Sequence, residues 1–136
     1  MRTHIELDDD LVAQVDRLAG SRGRPAVGRV SALLEAGDIL AATAINVEEI
    51  VRGLRPSEEE AATELFAGLE VLAVDTVAAW QAGDWRQGFS IRGVTLWQAD
   101  CLIAATAMVN GATLVTGNPE DFPMPELEVV HWPIGS

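Results

Sequence analysis

The chain has 136 residues, 49% of them hydrophobic, which excludes a disordered protein and is enough for one domain with a real core. Its formal net charge is −12, and the nine basic residues are all arginine, five among the first 35 residues and four in a remainder that carries fifteen acids. Broad attraction to nucleic acid is therefore excluded for the body of the chain, leaving clustered acids on a metal ion or a basic partner segment as uses for the acidity. No apolar run reaches the length of a membrane span and no signal peptide precedes the charged start. The single Cys101 forms no disulfide framework and reads as a small buried hydrophobe, so the expected compartment is the cytoplasm.

Thr3-His-Ile-Glu-Leu7 alternates as a short strand does, and Asp8, Asp9 and Asp10 suit the positive end of a following helix. Leu11, Val12, Val15, Leu18 and Ala19 fall at helical spacing; Gly20 to Pro25 breaks the pattern. A second amphipathic helix with Val27, Val30, Leu33 and Leu34 stops at Gly37, and Ile39 to Ala44 is a strand of small residues. Asn46 is the expected cap of a third helix with Val47, Ile50, Val51 and Leu54 on one face. Ser57-Glu-Glu-Glu60 reads as a capping box ahead of Leu65, Phe66 and Leu69. Val71 to Val74 is a strand, and Val77 to about Gln87 a helix with Trp80 toward the core. Trp97 to Asn110 is an almost wholly apolar helix, followed by strands at Thr113 to Thr116 and Glu128 to His131. Strands alternating with helices predict an α/β sandwich with a mainly parallel sheet. His4 and His131 are isolated and read as surface or packing residues, and Trp80, Trp85, Trp97 and Trp132 as core or dimer-interface residues rather than base-stacking platforms.

Three acids stand where strands give way to helices or loops. Glu49 follows the strand ending near Thr43, Asp100 opens the apolar helix, and Asp121 follows the strand ending at Thr116, with Asn118 between. In a parallel sheet such positions gather at the carboxyl ends of the strands. An acid at the mouth of a buried helix is costly unless paired, and carboxylates are hard oxygen ligands suited to Mg²⁺ or Mn²⁺. Each acid also has a plain reading, as a solvated first-turn residue or a turn cap, and only the joint pattern favours a metal site.

Ala44-Ile-Asn-Val-Glu-Glu-Ile-Val-Arg-Gly53, Gln98-Ala-Asp-Cys-Leu-Ile-Ala-Ala-Thr-Ala107 and Leu114-Val-Thr-Gly-Asn-Pro-Glu-Asp-Phe122 resemble, in turn, three segments of PIN-domain ribonucleases, especially VapC-type toxins of toxin–antitoxin pairs. The resemblance covers roughly residues 25–136. It implies a three-layer α/β/α fold, usually dimeric, that cuts RNA with Mg²⁺ or Mn²⁺ and is silenced by a cognate antitoxin. It implies that Glu49 is the family's glutamate, that Asp100 is a metal-binding aspartate, and that Asn118 and Asp121 are the final ligands. A homodimer is expected through helix faces carrying Ile50, Leu54, Leu65 and Leu69.

Residues 1–24 depart from that pattern. They resemble the start of a VapB-type ribbon-helix-helix antitoxin, in which Arg2, His4 and Glu6 would be the outward residues of a strand reading the major groove. The alternative is that this strand-helix segment packs as the first unit of the domain, with Ile5 to Leu7 at an edge of the sheet. Asp8 then stands in the place of the family's first aspartate, 41 residues before Glu49. Two functions stay open: a metal-dependent endoribonuclease toxin with Glu49, Asp100 and Asp121 at its centre and Asp8 and Asn118 completing the metal site, and a catalytically dead PIN-like binding or regulatory protein. A nucleotide-binding reading fails for want of any Gly-rich phosphate loop.

Overall fold

The computed structural model describes residues 3–6 and 39–131. Five strands, β1 (Thr3–Glu6), β2 (Ile39–Thr43), β3 (Glu70–Leu72), β4 (Thr113–Thr116) and β5 (Val129–His131), form one sheet in the order β3-β2-β1-β4-β5. Every pairing among them is parallel, with Ile5 opposite both Ala41 and Leu114. Helices α1 (Ala44–Gly53) and α2 (Glu59–Ala67) connect β2 to β3, and α3 (Thr76–Ile91) and α4 (Gln98–Val109) connect β3 to β4. The chain adds strands in one direction up to β3 and then jumps back across the sheet to β4. With right-handed crossovers that reversal covers both faces, as the expected α/β sandwich requires.

Strand β1 corrects one expectation: it lies at the centre of the sheet, not at its edge. Both its edges are used by β2 and β4, which leaves none for pairing with a twin strand. Asp8, the helices read in residues 8–19 and 27–34, and Trp132 lie outside the described residues.

Burial explains the middle strands. β4 is buried along its whole length, and Leu40, Ala41, Ala42 and Thr43 of β2 are buried too, which is why both read as continuous apolar or small-residue runs. α4 has no polar face to speak of because none of its sides faces water for long: Cys101 and Ile103 through Ala107 are all buried between α3, α1 and the sheet. It ends at Asn110, whose side-chain amide donates to the Thr106 carbonyl at 2.7 Å. Gly111 then adopts φ +66, which a β-carbon would strain, and turns the chain into β4.

Several sequence expectations are revised. The third helix is capped by Thr43 rather than Asn46. Ser57 lies inside a 3₁₀ turn (Pro56–Glu58), and Glu58 is buried because its Oε1 accepts the Arg55 N–H at 2.9 Å. Trp80 is 74% exposed, and Trp85 takes the core position, its Nε1 donating to Glu126 Oε2 at 2.6 Å. Of the residues expected on a dimer face, Ile50 is buried and Leu54, Leu65 and Leu69 are half-buried.

Candidate active site

Glu49 and the Asn118–Asp121 segment each follow a strand through a local device, whereas Asp100, expected at such a strand end, sits in a helix that follows α3 instead. At the end of β2, Thr43 Oγ1 accepts the Asn46 N–H at 3.3 Å and donates to Asn46 Oδ1 at 2.8 Å, and the Thr43 N–H donates to the same oxygen at 2.7 Å. This buried reciprocal box sets the direction in which α1 leaves the sheet. Glu49, one turn further on, is half-buried, whereas its neighbour Glu48 is exposed.

At the end of β4, Thr116 Oγ1 accepts the Asn118 N–H at 3.0 Å and turns the chain out of the sheet. A 3₁₀ turn, Pro119–Asp121, follows, closed by the Asp121 N–H on the Asn118 carbonyl at 3.0 Å and pinned by buried Phe122. Asn118 is half-buried and Asp121 exposed.

α4 precedes β4 in the chain and packs on it. Leu96 is buried, the Trp97 carbonyl accepts the Cys101 N–H at 3.0 Å, and Asp100 is the half-buried third residue of the helix rather than its cap. α1 packs on α4, so the helices carrying Glu49 and Asp100 are neighbours. Glu49, Asp100, Asn118 and Asp121 are all engaged in polar or electrostatic interactions, as are Thr116 and Gly117. Among the described residues, no three His, Cys, Asp or Glu side chains form a metal-holding group by themselves. Asp8 lies outside the described residues.

Burial pushes the Cys101 thiol up to about 11; Asp100 beside it raises it further and the Arg86 guanidinium lowers it. The thiol is thus inert, as the sequence suggested. Arg86 is a residue that sequence reasoning missed. It projects from α3, and its Nε donates to the Leu96 carbonyl at 3.3 Å, which sets a cation at the start of α4. Trp97, read as a core or dimer-interface residue, is 70% exposed and so is not core.

A sequence model of the PIN domain matches residues 17–123. The chain belongs to the PIN-domain family. Among its VapC members, the Mycobacterium tuberculosis protein named ribonuclease VapC19 is 35% identical over 123 residues, covering 88% of this chain and 94% of the relative. Ribonuclease VapC10 of the same organism is 33% identical over 85 residues; that match spans 62% of this chain and 64% of VapC10, just under two thirds of its length. Solved PIN-domain structures agree on the fold. VapBC2 from Rickettsia felis, bound to a DNA fragment from its promoter, superposes with a TM-score of 0.76 at 21% identity over 96% of this chain and 98% of that one. FitAcB from Neisseria gonorrhoeae gives 0.69 at 25% identity, over 93% and 96%. No helix among the described residues is long and apolar enough to cross a membrane.

Proposed function

We propose that this PIN domain is a metal-dependent endoribonuclease, the toxin of a type II toxin–antitoxin pair, working in the cytoplasm as a homodimer and held silent by a cognate antitoxin. The observation that carries the reading is a half-buried Asp100 at the start of an otherwise apolar helix, on an element packed against the one that bears half-buried Glu49. Both acids are engaged within the chain, and half-buried carboxylates on two packed elements are hard oxygen ligands of the kind a divalent cation takes. The names and complexes of the relatives supply the RNA substrate and the antitoxin.

Glu49, Asp100 and Asp121 would hold Mg²⁺ or Mn²⁺, with Asn118 and Asp8 completing the set. All are hard oxygen donors, which fits those ions and not a soft metal. Bound there, the ion would activate a water and neutralise charge on the phosphate. The chain's own residues do the positioning: the Thr43–Asn46 box aims Glu49, buried α4 fixes Asp100, and the Thr116 turn aims Asn118. Residues 1–24 are best read as the first strand-helix unit of one domain with residues 25–136. A central β1 supports this over an antitoxin-like arm.

The test is cleavage of RNA by the parent chain in Mg²⁺ or Mn²⁺, set against the same reaction in EDTA and with Asp100→Asn. Cleavage lost in both controls supports the reading. No cleavage by the parent, under conditions where an intact VapC toxin cuts, favours the binding-only alternative.

A further inference from the structure

The connection between α3 and α4 carries two groups that neither the acids nor the core accounts for. Three large apolar side chains stand out in water there: Ile91 is 81% exposed, Val94 42% and Trp97 70%. Trp97 is held out by its surroundings, not by chance. Leu96 before it is buried, its own carbonyl is tied to the Cys101 N–H, and the Val94 N–H is tied to the Phe89 carbonyl at 2.9 Å. A pinned backbone with an outward indole costs little entropy when something stacks on it. Asp100 follows three residues later in the same helical turn.

Arg86 stands on the other side of this connection. Its Nε is held by the Leu96 carbonyl, so the guanidinium is fixed in place while its outer nitrogens remain donors. The other arginine of the hairpin, Arg92, is spent differently, lying over the Phe89 ring at 4.2 Å from its centre. On a chain with net charge −12, Arg86 is a cation held at the start of the helix that carries Asp100.

We propose that Trp97 and Arg86 form the substrate-side lip of the acid site, the Trp97 indole stacking on an unpaired base of an RNA strand and the Arg86 guanidinium holding a phosphate of that strand. This rests on the ribonuclease reading above. Stacking on an aromatic face tolerates any base, and a single arginine supplies the phosphate contact that an acidic body lacks. The lip therefore selects single-stranded or looped RNA, because a base inside a duplex offers no free face.

The experiment uses the full chain and short single-stranded oligoribonucleotides. Equilibrium binding is followed by fluorescence anisotropy in EDTA, and KM and kcat are measured with Mg²⁺ or Mn²⁺. Trp97→Ala should weaken binding and raise KM by about tenfold with kcat little changed, and Trp97→Phe should restore most of the loss. An oligonucleotide with one abasic site, moved along the strand, should at one position abolish the difference between parent and Trp97→Ala. Arg86→Gln should raise KM and lower the slope of log affinity against log salt by about one, while Arg86→Lys keeps it. Trp97→Ala with parental binding and KM overturns the proposal, and so does a Trp97→Ala variant whose only change is in its self-association, which would make the indole a protein contact. A parent that neither binds nor cuts RNA overturns the ribonuclease reading and this proposal together; a parent that cuts normally with Trp97→Ala unchanged overturns this proposal alone.

Discussion

The starts of α1 and α4, two helices that pack on each other, each carry a candidate acid, and they are built in opposite ways. α1 begins with a closed circuit: Thr43 and Asn46 are buried and satisfy each other through three hydrogen bonds. α4 begins with Trp97, which makes no side-chain cap and is mostly in water, followed by half-buried Asp100. The first arrangement stabilises and aims. The second sets an exposed indole at the start of the helix, three residues before a half-buried acid that is itself engaged within the chain, and beside the helix that carries Arg86.

That contrast can be broken by mutation, and the largest effect should be on activity. Asp100→Asn and Glu49→Gln are each expected to lower kcat by at least about a hundredfold, the scale on which loss of one electrostatic stabiliser is felt. Glu48→Gln, on the exposed neighbour, should cut RNA at the parental rate. Equal losses in Glu48→Gln and Glu49→Gln would sink the assignment. Asp8→Asn sharpens the same point: lost cleavage would mean that the segment after β1 supplies the first acid.

The next effect is on stability and falls on the α1 side. Asn46→Ala leaves the buried Thr43 N–H and hydroxyl without their acceptor and should cost about 1–3 kcal/mol in urea unfolding. Trp97→Ala should cost no more than about 0.5 kcal/mol in the same assay, because an exposed side chain has little packing to lose. A large loss for Trp97→Ala and none for Asn46→Ala would invert the comparison.

The smallest effect is on the thiol. The folded chain holds the Cys101 proton up to about pH 11, against 9.0 for the free group. Its contribution to stability is therefore present below pH 9 and is lost as the pH rises from 9 through 11. Alkylation by iodoacetamide at pH 8 should be slow in the native chain and fast after unfolding. Rapid native labelling would show that α4 is less closed than its burial implies.

Much of this was legible in the sequence. The alternation of strands and helices, the apolar α4 with Asp100 in its first turn, and the positions of Glu49, Asn118 and Asp121 after strands are one-dimensional patterns. They follow from periodicity and from the chemistry of an acid placed in an apolar run. The errors fell where a choice depends on what lies across space. Trp80 and Trp85 are five residues apart on one helix, and local pattern does not say which one finds a partner. Glu126, forty-one residues away from Trp85, settled it. Ser57 to Glu60 read as a capping box opened by Ser57, whereas Glu58 closes back on the Arg55 N–H. The same holds for β1, whose sequence predicts a strand but whose place at the centre of the sheet depends on register with β2 and β4. The sequence by itself determined the class of the fold and the family, because those are written in spacing and residue type. The tertiary structure alone decided which tryptophan is core, which is surface, and that Arg86 stands beside Asp100's helix, because those depend on contacts between residues that the chain keeps apart.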